Sequence, residues 1–229
     1  MSLPVPRRSP NGVRTYAGHY RDGRAVYFYN EDNGTRIYTG RFWFSRRYYS
    51  IPSGRSTDVA CGCFSDGVKS GGWSFSHKMH GLRQRLDVSY SDGNHDGTYS
   101  YKSVYKSRGL GLKSGVTTLV VGLCGGKGVG DVSCCINGET VTGHCDGDGF
   151  PDGLWKMDSA KTVKCETRYE KWEHGVCLEA YIIDESTGDR KTVNGQIPYI
   201  VSSIVRRECI PLENIVKKGS EAWRGFSVR

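Results

Sequence analysis

The chain has 229 residues and a net charge of +8, with 31 glycines, 14 tyrosines and 5 tryptophans. No stretch reaches the roughly 18 apolar residues that a membrane-spanning helix needs, and glycine at nearly double its usual share of about 7% argues for turns and sheets over helices. The positive surplus suits an acidic partner, whether nucleic acid, anionic membrane or protein, although Lys and Arg are spread along the chain with short clusters only at Arg7-Arg8, Arg46-Arg47, Arg206-Arg207 and Lys217-Lys218.

Residues 1–13, rich in Pro and Arg, read as a flexible arm. They hold no apolar run of signal-peptide type, so we expect a cytoplasmic protein or one whose leader has been removed. From residue 14 a pattern recurs. A short segment of large residue, spacer, glycine, spacer, large residue appears as Tyr16–Tyr20, Tyr38–Phe42 and Ala60–Phe64, each starting 22 residues after the last. A second segment, Asp-Gly followed by a glycine and then alternating large residues, runs Asp66-Gly67, Gly71, Trp73, Phe75. It returns as Asp92-Gly93, Gly97, Tyr99, Tyr101 and as Asp148-Gly149, Gly153, Trp155, Met157. A weaker copy is Gly125-Gly126, Gly130, Val132, Cys134, and Asp22-Gly23 to Tyr27 and Tyr29 lacks only the second glycine.

Alternation puts the large residues of each segment on one strand face, and Asp-Gly supplies turn residues that tolerate positive φ. The unit is therefore an antiparallel hairpin, repeated along the chain. Glycine weakens a strand unless an aromatic ring from the neighbouring strand lies over it. We expect such cover at Gly18, Gly40 and Gly62. Ser50–Ser56, His77–Arg85 and Lys102–Ser114 read as long polar connections.

These strands and turns resemble the MORN-repeat superfamily, and more closely its bacterial MORN-like branch, which includes repeat antitoxins. The resemblance covers about residues 14 to 181. It implies a single-layer β-sheet and a binding or scaffolding role. The expected fold is all-β, a single-layer twisted antiparallel meander of six or seven MORN-like hairpins over residues 14–193.

Residues 194–229 form the expected cap. Ile200, Val201, Ile204 and Val205 recur at helical spacing, and Pro211–Gly219 reads as a short helix with Pro at its start, Lys217 and Lys218 in its last turn and Gly219 beyond. With Trp223 and Phe226 this segment should cover the terminal edge or fold over one face.

Few residues suggest chemistry. Asp146, Asp148 and Asp152 look like a calcium loop, but the first ligand position is His144 and the closing acid position is Trp155, so we read the segment as turn chemistry. Thr117–Gly130 lacks the first glycine and the Ser or Thr of a phosphate-binding loop. Cys61-x-Cys63 and Cys134-Cys135 lack zinc-site spacing, and the nine cysteines read as reduced packing residues. No catalytic residue, cofactor or metal ligand is assigned, and we expect no enzyme and no small-molecule substrate.

One stretch falls outside the repeat: Trp43, Arg46, Arg47, Tyr48 and Tyr49, beside Phe42 and Phe44. It could anchor a protein partner or stack and contact nucleic acid, and the alternative is that the C-terminal segment or a second copy covers it. The sequence thus points to a non-enzymatic scaffold that holds a macromolecule, protein first and an antitoxin-like role included, with nucleic acid or acidic lipid as the alternative partner.

Overall fold

The computed structural model describes residues 12–50, 54–106, 114–159 and 165–216. Of the expected arm, residues 1–11 lie outside them. Fourteen strands follow in order: β1 (Arg14–Tyr20), β2 (Gly23–Asp32), β3 (Thr35–Ser50), β4 (Gly54–Ser65), β5 (Val68–Met79), β6 (Leu82–Ser91), β7 (Asn94–Tyr105), β8 (Gly115–Cys124), β9 (Lys127–Ile136), β10 (Glu139–Cys145), β11 (Pro151–Asp158), β12 (Glu166–Glu173), β13 (Val176–Asp184) and β14 (Arg190–Thr192). Each pairs antiparallel with its neighbours in sequence, so strand order in the sheet is chain order. This is the all-β hairpin meander that the repeat predicts.

The tight turns use pairs of positive-φ residues, among them Asn33-Gly34, Asp66-Gly67, Asp92-Gly93 and His174-Gly175, the geometry that matches strand twist in two-residue hairpins. Five hairpins then share one irregularity. Between Tyr27↔Phe42 and Tyr29↔Tyr38, β3 takes in two residues more than β2. The same gain separates Cys61↔Ser74 from Cys63↔Ser70, Val88↔Tyr99 from Tyr90↔His95, Val121↔Val132 from Leu123↔Gly128, and Thr142↔Lys156 from His144↔Asp152. At each bulge stands a left-handed glycine, Gly40, Gly71, Gly97, Gly130 or Gly153. Only glycine enters that region without strain. Two residues later the chain buries Phe42, Trp73, Tyr99, Val132 or Trp155. The ladders between hairpins, β3–β4 through β11–β12, run without a shift.

The 22-residue recurrence therefore mixes two kinds of glycine. Gly40 is a bulge glycine in a hairpin closed by Asn33-Gly34, a turn the sequence pattern passes over. A Cβ on Gly40 would meet Phe28 at an ordinary 3.7 Å, and the atoms nearest a Cβ on Gly18 belong to Tyr16 of its own strand. The expected ring cover holds at Gly62 and again at Gly143. A Cβ there would stand 2.2 Å from the Trp73 ring and 2.1 Å from that of Trp155. In both copies the indole N–H donates to the carbonyl of the residue after the glycine, Cys63 at 2.8 Å and His144 at 3.1 Å.

Of the expected polar connections His77–Arg85 is mostly strand, and residues 51–53 and 107–113 of the other two lie outside the described residues. β4 begins at Gly54, His80-Gly81 alone joins β5 to β6, and β7 runs to Tyr105. Their polar residues are the outward positions of half-buried strands, which composition alone cannot tell from loop.

The C-terminal segment folds over one face instead of the terminal edge. α1 (Ile197–Ile204) passes through a π-turn (Val205–Cys209) into α2 (Ile210–Glu213) as one run, so Pro211 lies inside it rather than starting a second helix. The widened turn accommodates the missing Pro211 N–H and its ring. Lys217, Lys218, Gly219, Trp223 and Phe226 lie outside the described residues. α1 packs on β11 and α2 on β5 and β6, so the run crosses the strands. Ile197, Val201, Val205, Cys209 and Leu212 join Leu86, Tyr99, Leu119, Val121, Val132 and Val141 in the core.

Buried polar groups set the helix's position. Glu170 on β12, fully buried, accepts the N–H groups of Gln196 (2.8 Å) and Ile197 (3.0 Å), together with Arg168 Nε (2.7 Å) and Trp172 Nε1 (3.0 Å). A carboxylate thus meets the positive end of the helix. At the other end, Glu213 meets His95 Nε2 at 2.6 Å and accepts the hydroxyls of Tyr90 (2.9 Å) and Tyr99 (3.0 Å). Lys69, buried over the Trp73, Phe75 and Tyr90 rings, adds its charge. Burial pushes the Glu213 carboxyl up, but the hydrogen bonds of His95 and Tyr90 and the nearby His95 and Lys69 outweigh it and hold it below the ordinary value. Midway, the Tyr101 hydroxyl donates to Glu208.

Gly62→Ala should lower stability by about 1–3 kcal/mol because the Trp73 ring cannot yield without repacking. Gly72→Ala, with open space at its Cβ position, should cost less; urea midpoints of the two variants measure the difference. Glu213 releases its proton more readily folded than unfolded, so its contribution is present above the unfolded value and disappears as pH falls through the carboxylate range. Acid titration of the unfolding midpoint should show that loss, and Glu213→Ala should cost about 3–5 kcal/mol at neutral pH.

Candidate binding face

With the helix on one side, no described element covers the opposite face of the sheet. The stretch singled out in the sequence is divided between the two. Arg46 and Tyr48 point to the helix side, the Arg46 guanidinium lying 5.0 Å from the Tyr48 ring centre. Trp43, Arg47 and Tyr49 occupy the open side, alternating with buried Phe42 and Phe44. Strand geometry therefore prevents all five from forming one surface.

Arg46 is committed to a clasp. It bonds Asp22 and Asp58, and Asp58 also meets His77 Nδ1 at 2.6 Å. Burial pushes the Asp58 carboxyl up, but His77 and Arg46 outweigh it and hold it below the usual range. This group lines a cleft of about 290 Å³ under the end of the helix, with Gln84, Arg207 and Leu212. Arg46 ties the β1–β2 turn to β4, and Asp58 shares its carboxylate between Arg46 of β3 and His77 of β5.

Asp146 is committed too. Its Oδ1 accepts the N–H groups of Asp148 and Phe150, both at 2.9 Å, and its Oδ2 meets His174 Nδ1 at 2.6 Å. Burial raises its carboxyl, and those partners bring it below the ordinary value. Asp152 accepts the His174 N–H, and Asp148 faces Lys127. Among the described residues no group of three His, Cys, Asp or Glu could hold a metal ion. All nine cysteines are free.

The open face carries the concentration of charge. Across β3 to β6 the register aligns Arg47↔Thr57, Thr57↔Lys78 and Lys78↔Arg83. One row away it aligns Ser76↔Arg85 and Arg85↔Lys102. Arg55 faces Tyr49, and Arg24 and Arg41 extend the set toward β2. All of these cations are exposed. Only Arg85 has an ionic partner among the described residues, Asp87 at 2.7 Å. Lys78 stands directly opposite Arg83, and Arg85 directly opposite Lys102. Like charges in that arrangement destabilise a sheet.

The seven cations beyond the original stretch left a signal that cluster counting misses. Along the strands they alternate with inward residues such as Gln84, Leu86 and Tyr101, so no two are adjacent in sequence. Residues 1–113 hold 18 Lys and Arg against 8 Asp and Glu, while residues 114–229 hold 14 against 16. The whole surplus thus sits in the first half. Exposed aliphatic residues are concentrated in the second, with Val116 and Val120 on β8, Leu154 on β11, and Val176 and Leu178 on β13.

Fold and face together define a repeat β-meander with one face sealed by a helix and the other basic over half its length. The sequence matches no family model and no curated protein. Among the described residues no helix is long and apolar enough to cross a membrane.

Replacing Lys78 by Glu converts an opposed like pair into an opposite one. Thermal unfolding should show the variant more stable than the parent by about 0.2–1 kcal/mol.

Proposed function

We propose that this chain is a non-enzymatic binding protein of MORN-like repeats that holds an acidic macromolecule against the open, basic half of its sheet. One observation carries the reading: Lys78 and Arg83 are opposed like charges at exposed positions, where they oppose folding and a partner's negative charge would compensate them, while the second opposed pair, Arg85↔Lys102, is offset in part by Asp87. The ring-over-glycine contacts of Trp73 and Trp155 support the MORN-like reading of the repeats. A toxin with an acidic surface is the particular partner that the family resemblance suggests, and a cytoplasmic setting agrees with nine free thiols.

The test is affinity capture from native cells with the parent chain and with Arg47→Glu/Lys78→Glu/Arg83→Glu. The parent should retain a partner that added salt elutes, and the triple variant should lose it. Retention by the triple variant, or loss on replacing Leu154 and Leu178 by Ser, would move the site elsewhere.

A further inference from the structure

The acidic partner can be specified further, on the assumption that the basic face is the binding surface. We infer that the open face over β2–β7 binds single-stranded nucleic acid, its cations holding phosphates and its exposed rings stacking bases.

The face offers two kinds of contact in separate places. Lys78, Arg83, Arg85 and Lys102 form the cationic floor on β5–β7. Tyr49, 73% exposed, and half-buried Trp43 stand beside Arg47 at its β3 border. Cations along β6 alternate at two-residue steps, about 6.7 Å apart, and neighbouring strands add a row every 4.8 Å or so. The result is a cationic strip about 24 Å wide over six strands. Between the cations lie Ser and Thr, including Thr57 and Ser76, which contact phosphate well but bury little apolar area. A shallow depression of about 280 Å³, lined by Ser74, Ser89, Thr98 and the Asp87 carboxylate that Arg85 neutralises, gives the strip relief.

An acidic protein fits less well. Protein interfaces centre on a desolvated apolar core, and the exposed aliphatic side chains are concentrated on β8–β13, away from the cations. On the basic half of this face the most exposed apolar side chain is the Tyr49 ring. A positively charged track with accessible rings is how sequence-tolerant single-strand binders work. A duplex would use the cations but leave the rings without bases to stack on.

The experiment measures fluorescence anisotropy of labelled poly(U) and poly(dT), a duplex of matching length, and labelled polyglutamate over a salt series. The parent should bind the single strands more tightly than the duplex or polyglutamate. Lys78→Thr/Arg83→Thr should reduce affinity about tenfold and flatten the slope of log affinity against log salt by about 1.4. Tyr49→Ala should reduce affinity about tenfold with the slope unchanged. The Lys78→Thr/Arg83→Thr variant should melt no lower than the parent, so its loss of binding cannot be put down to unfolding. Equal binding of duplex, or a silent Tyr49→Ala, overturns the inference. Polyglutamate held through Lys78 and Arg83 while single strands are ignored overturns it and leaves the acidic-partner function standing. Failure to bind any of the polyanions removes both.

Discussion

The sheet depends on a left-handed glycine placed at the same point in the second strand of successive hairpins. A residue with a side chain resists that conformation, and without it the second strand could not take in two residues more than the first. The extra length bends and twists each hairpin in the same sense. It also brings the side chain two positions on, Trp73 or Trp155 in the best-formed copies, over the backbone of the preceding strand. Where that preceding residue is also glycine, as at Gly62 and Gly143, the ring lies flat on bare backbone and its N–H finds a carbonyl. The bulge and the ring contact are therefore one device: the first supplies the curvature, the second holds it.

A single sheet with large inward residues still exposes them unless something lies across. The helical run does this, and the buried carboxylates at its two ends, one from β12 and one its own, determine where it lies more than its apolar side chains do. Hydrophobic contact is non-directional, so Ile197, Val201 and Leu212 would pack on many parts of an aliphatic and aromatic sheet. Glu170 at one end and Glu213 at the other admit one placement, because each has buried donors at hydrogen-bond distance. Among the described residues nothing lies across the opposite face. The strands show the two faces: inward positions are mostly rings and aliphatics, while Arg55, Thr57, Ser76, Lys78, Arg83, Arg85 and Lys102 are among the outward ones on β4–β7.

Local rules served well where function depends on neighbours in sequence. Asp66-Gly67 and Asp92-Gly93 announce turns because two positive-φ residues in a row admit few alternatives. Alternation around Trp73, Tyr99 and Trp155 announces strands facing a core. The same rules erred at Gly40, whose surroundings imitate those of Gly18 and Gly62 while its backbone belongs to the other glycine class. They erred also over His77–Arg85, where outward polar residues on two strands look like a loop. Arg46 and Arg47 seemed one feature because they are adjacent, yet adjacency on a strand separates side chains.

What the amino-acid sequence by itself determined is the hairpin repeat, its turns and its all-β class, since each follows from backbone preferences within about ten residues. Tertiary structure alone decided which face the helix covers and which cations meet. Lys78 and Arg83, and Arg85 and Lys102, become neighbours only once strand register is established. That register is the cumulative result of the bulges and turns between them, and a charge pattern across strands has no local signature to read.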